Sequence, residues 1–112
     1  MPYIRGQYHF PFTPSPGQID ARGAAFIRLQ VSLWNVLAFH HDREREREAH
    51  WQQRAKDCAA ELRRLLDPYE ASAAIGEAGR QAKARFTSEL ASGKEWRKER
   101  GVEPKFEAQE GK

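Results

Sequence analysis

At 112 residues, 39% hydrophobic and 31% charged, the chain is at most one ordinary domain with a lean core. Its three Trp, three Tyr and six Phe are too many aromatics for a disordered chain. Nineteen Lys and Arg against sixteen Asp and Glu leave a net +3. The excess is not concentrated: residues 42–67 hold seven of each sign and 68–92 three of each. A basic face of the kind that neutralises phosphates is therefore not encoded, and a pI of 9.2 says little about nucleic acid.

Residues 1–18 hold Pro2, Pro11, Pro14 and Pro16, which block helix and central strand. The same stretch is dense in apolar surface, including Tyr8, Phe10 and Phe12. It reads as an extended arm that lies on the protein's own helices or in a partner's groove. Asp20 then offers an N-cap for the long element that follows.

From Ala24 to Leu66 there is neither proline nor glycine, and the stretch reads as one long helix, about residues 20–66. Between Ala24 and Phe39 the polar residues Arg28, Ser32 and Asn35 form a narrow stripe at i, i+4 and i+7. Apart from Gln30, the rest of the circumference is apolar and needs neighbours on several sides. Residues 27–33 also alternate strictly, the period of a half-buried strand, which could pair only with another molecule. Helix is the expectation here.

The run from His40 to His50 places opposite charges at i, i+3 and like charges at i, i+4, which partly cancel at about 0.2–0.5 kcal/mol a pair. It is the weakest place for continuity, and an interruption near 40–50 is expected if the helix breaks at all. From Trp51 on, Ala55, Cys58, Leu62, Leu65 and Tyr69 repeat at alternating fours and threes, a seam like that of a coiled coil. An unbroken helix from Ala24 to Leu66 would be about 64 Å long. The sequence thus favours an elongated molecule over a broken helix.

Asp67-Pro68-Tyr69-Glu70 combines an N-cap, a proline at the first helical position and a glutamate at the third. A second helix is expected from 68 to about 92, stopped by Gly93 and joined to the first as a bent or hairpin pair. Its apolar seam reads as Ile75, Gly79, Ala82, Phe86 and Leu90, flanked by Ala71, Ala74 and Ala78. Residues 93–112 are a charged tail with Trp96 as an apolar anchor. The fold class is all-α: an arm (1–18), a helical core (19–92) and a tail (93–112).

Little in the sequence points to chemistry. His40 with Glu44, and Glu46 with His50, could each offer two metal ligands, but no motif supplies a third. There is no glycine-rich phosphate loop and no nucleophile elbow. Cys58 is alone, which rules out a disulfide within the chain and suits a reducing, intracellular compartment. No apolar run reaches the ~20 residues of a membrane span, and no signal peptide is evident at the N-terminus. No enzyme activity, metal or cofactor is expected.

The expectation is a structural or accessory subunit, or an adaptor, that binds other protein subunits. The partner-binding residues expected are Tyr8, Phe10, Phe12, Phe26, Ile27, Leu33, Trp34, Leu37, Phe39 and Trp96. Two alternatives remain. One is an RNA-contacting subunit of a ribonucleoprotein, since Trp96-Arg97-Lys98 could stack on bases. The other is a homo-oligomeric coiled coil.

Overall fold

The computed structural model describes residues 21–92 and 101–102. Asp20, Gly93, and the arm and tail residues Tyr8, Phe10, Phe12 and Trp96 lie outside the described residues. The chain forms three α-helices: α1 (Ala21–His41), α2 (Arg45–Leu65) and α3 (Pro68–Ser92). Residues 27–33, the candidate strand, are helical throughout.

The long helix is broken, and the break falls in the charged run. Glu44 N–H donates to Phe39 C=O (2.9 Å) and Arg43 N–H to His40 C=O (3.1 Å). Arg43 has φ +61°. These two bonds and one left-handed residue make a Schellman stop, with Arg43 where glycine is usual. The reason for a stop here lies in the seam. Carried backwards from Trp51, it meets Glu48, Glu44 and His41, so a continuous helix would bury nothing over this turn. Folding back instead sets Trp51, Ala55, Cys58 and Leu62, all buried, against the apolar α1.

Helix α2 runs antiparallel to α1: Ala21, Ala25 and Arg28 share a surface depression with Arg54, Asp57, Cys58 and Glu61. The expectation of an elongated molecule is corrected accordingly. The principal extents are 39 × 27 × 23 Å and the radius of gyration is 13.9 Å. The same fold-back makes the seam an intramolecular one.

Helix α3 starts where the sequence places it. Asp67 Oδ1 accepts the Glu70 N–H (2.8 Å) and Asp67 C=O accepts the Ala71 N–H (2.8 Å). It runs parallel to α1, with its early residues Ala71, Ala74 and Ala78 in the core and its late residues beside the end of α1. Over its first half the buried face is one position off the expected seam, which it rejoins at Ala82. Ala71, Ala74, Ala78 and Ala82 are buried, Ile75, Gly79 and Phe86 are half-buried, and Leu90 is exposed. The displacement follows from α1, which brings Phe26, Ile27 and Trp34 to the core. Large side chains on one helix call for small ones on its neighbour if the axes are to approach closely. Tyr69, expected to end the α2 seam, is 84% exposed because Pro68 starts a new helix with a new phase.

Helix α1 is therefore the axis of the bundle. It packs against both neighbours, which touch each other far less. No helix among the described residues is long and apolar enough to cross a membrane.

Candidate interaction surface

Each face of α1 is used differently. Toward the end of α3, Trp34 is fully buried. Its Nε1–H donates to Glu89 Oε1 (2.8 Å), and the Arg85 guanidinium carbon stands 3.8 Å from the centre of its ring. Arg85 Nε in turn donates to Glu89 Oε2 (3.4 Å). Edge and face of the indole are both satisfied, so this cluster clamps α1 to α3. A cation over a desolvated indole adds about 1–2 kcal/mol to such a clamp.

The polar stripe of α1 also faces inward in part. Ser32 and Asn35 are buried and Arg28 is half-buried. Asn35 Nδ2 donates to Val31 C=O (3.0 Å), and Asn35 Oδ1 accepts the Gly101 N–H (2.7 Å). That second bond ties the start of the C-terminal segment to the middle of the bundle. Sequence reasoning missed it. The signal was one asparagine in the polar stripe of α1, and nothing local said which residue would answer it.

Of the residues expected to meet a partner, Phe26, Ile27, Trp34 and Phe39 are at most 1% exposed within this one chain. They are core residues of the bundle. The reason is the fold-back: it supplies from the same molecule the neighbours that a single long helix would have lacked. Leu33 and Leu37 are half-buried, as is Val36 between them. These three stand at i, i+3 and i+4 and form one apolar strip. Gln30, one turn before Leu33, is 3% exposed, and its Oε1 has no hydrogen-bond partner among the described residues. A buried amide oxygen in that state costs about 1–3 kcal/mol until something donates to it.

Elsewhere on the described surface, apolar exposure is scattered: Tyr69, Leu90 (43%) and Val102 (53%). Tyr69 adjoins a shallow depression lined by Arg63, Pro68, Ala71, Ser72 and Ile75. Several charged groups pair with near neighbours in sequence. Arg47–Glu44 (3.6 Å), Arg54–Asp57 (4.0 Å), Arg64–Glu61 and Arg80–Glu77 (2.6 Å) all pair within one helix at i, i+3. Two histidines also pair with carboxylates. His40 Nδ1 lies 3.0 Å from Glu48 Oε2 in an exposed pair that links α1 to α2, and His41 Nδ1 lies 3.1 Å from Asp42 Oδ1. The rings of His41 and His50 stand edge-on to Phe86 and Trp51. Among the described residues no group of three or more His, Cys, Asp or Glu is placed to hold a metal ion.

Comparison with known proteins returns no match to a family model, a curated protein or a solved structure.

Proposed function

We propose that this protein is a structural accessory subunit or adaptor that joins other protein subunits through α1. The observation that supports this reading is the strip Leu33–Val36–Leu37, half-buried on a helix whose other large apolar residues, Phe26, Ile27, Leu29, Val31, Trp34 and Phe39, are buried. The unanswered Gln30 Oε1 beside it adds a polar acceptor to an apolar contact. An apolar strip with one desolvated acceptor suits a partner helix or strand that brings a matching donor. The reading narrows the expected contact surface from the whole of Phe26–Phe39 to its outward strip. The arm and tail aromatics Tyr8, Phe10, Phe12 and Trp96 remain part of the proposal, as additional anchors on neighbouring subunits.

The test is co-purification from native extract with tagged full-length chain, comparing the natural sequence with Leu37→Glu. The expected result is a defined protein set that the natural chain retains at near-stoichiometric amounts and the variant loses. Tyr69→Ala, on another face, is expected to retain it. Equal retention by Leu37→Glu, or capture of RNA sensitive to salt with no protein, contradicts the reading.

A further inference from the structure

The fold-back between α1 and α2 redistributes charge within residues 42–48. On an unbroken helix Arg43 would pair with Glu46 and Arg45 with Glu48, each at i, i+3. The stop takes Arg43 out of the helix, at φ +61°, and the turn that would align it with Glu46 is lost. Glu48 is drawn to α1 instead, where its Oε2 lies 3.0 Å from His40 Nδ1. Among the described residues, Arg43 and Arg45 are left without an ion pair. Arg47, Arg54, Arg64, Arg80 and Arg85, by contrast, each hold a carboxylate three or four residues away.

The two unpaired arginines border one depression of about 580 Å³, between the end of α1 and the start of α2. His40, Glu48 and Gln52 line it with them. Two guanidiniums therefore outnumber one carboxylate there, and that carboxylate is already engaged by His40. Gln52 adds an amide with two N–H donors. Arg43 adds a second sign. It holds a left-handed backbone that glycine adopts freely, and its exposed side chain takes no part in the two bonds of the stop. Strain of this kind, beneath an unpaired charge at the rim of a depression, is better explained by binding than by packing.

Charge balance selects the ligand. A single carboxylate would answer one guanidinium and leave the other. A phosphoryl group carries about −1.5 to −2 charges at pH 7 and three acceptor oxygens, enough for both. Its oxygens also match the planar fork of an arginine. Two cations suffice for one phosphoryl group and not for a nucleic-acid backbone, so the even charge balance of the chain as a whole is no obstacle.

We propose that the depression between α1 and α2 binds the phosphoryl group of a phosphomonoester, held by Arg43 and Arg45 with Gln52 as a further donor. His40 acts as a positioning residue, engaging the Glu48 carboxylate that would otherwise compete for Arg45. The site is separate from the strip on α1 and does not depend on the protein-binding role.

The test titrates the full-length chain, labelled with nitrogen-15, with inorganic phosphate at constant ionic strength. Saturable shifts are expected in the backbone amides of residues 43–52, half-complete at a concentration on the order of millimolar for so small a ligand. Arg45→Gln and Arg43→Gly should each weaken binding about tenfold or more, the loss of one charge-assisted contact. Arg63→Gln, which removes an arginine away from this depression, should leave it unchanged. Adenosine monophosphate and a phosphoserine pentapeptide, each beside its dephosphorylated form, then distinguish the source of the group. Tighter binding of the nucleotide assigns the site to a small ester, and tighter binding of the peptide assigns it to a modified protein. Shifts that chloride reproduces at equal ionic strength overturn the proposal. So does the absence of saturation, an equal loss with Arg63→Gln, or equal binding of the dephosphorylated forms.

Discussion

Arg43→Gly is expected to stabilise the protein. Arg43 holds φ +61° at the stop between α1 and α2. A residue with a Cβ is disfavoured in that region by about 1–2 kcal/mol, whereas glycine is not. Glycine gives back about 0.5–1 kcal/mol through the greater freedom of its unfolded chain. The net gain is about 1 kcal/mol, since the Arg43 side chain is exposed and the two backbone bonds of the stop do not depend on it. For a bundle of this size that corresponds to a rise in Tm of about 4–8 °C. Urea denaturation followed by circular dichroism at 222 nm, with an unchanged slope, would measure it. Arg43→Ala is the control, because alanine relieves the charge but not the backbone. A loss of stability in the glycine variant would refute the assignment of the stop. So would an equal gain in the alanine variant, which would trace the effect to like-charge repulsion in the Arg43–Arg47 run.

Gly79→Ala in α3 is expected to add about 1 kcal/mol, since a Cβ there meets nothing within 4 Å and the helix interior disfavours glycine; thermal unfolding would show it. Trp34→Ala should cost about 3–5 kcal/mol through the cavity it leaves, enough to unfold a marginal bundle at 25 °C. Trp34→Phe should cost far less and abolish the coupling to Glu89 in a double-mutant cycle with Glu89→Gln. Asp67→Ala should cost about 1 kcal/mol by leaving the Glu70 N–H without its cap.

Signals confined to a few consecutive residues were legible in the sequence. The Asp67–Pro68–Glu70 start of α3 was readable because caps depend on local chain geometry alone. The polar gap at 40–50 was readable too, as the place where the seam of apolar residues runs out. What the gap would do was not. An elongated helix and a fold-back share the same pattern of residues, and the choice depends on whether α1 can be covered from within the chain. That is a question of long-range packing. The shift of the α3 seam onto Ala71, Ala74 and Ala78 was hidden for a related reason. A hydrophobicity pattern favours Ile75 and Phe86, whereas the partner helix, already crowded with Phe26 and Trp34, selects for small residues. Within the candidate site, Leu33 and Leu37 were legible only as members of the apolar set from Phe26 to Phe39, and nothing local set them apart from the four that the bundle buries. Gln30 was not singled out, and the Asn35–Gly101 bond was unreadable because its partners are separated by most of the chain.

The fold-back decides how much of α1 is left for a partner, so the distance between the ends of α1 and α2 tests the account most directly. Spin labels on cysteines replacing Ala21 and Glu61, with Cys58→Ala, would report it by pulsed dipolar spectroscopy. Those two positions border one depression, and the bundle predicts a distribution confined below roughly 25 Å, two packed helices plus the label tethers. A continuous helix would put them about 60 Å apart. That result would contradict the bundle and return all of Phe26 to Phe39 to the partner surface.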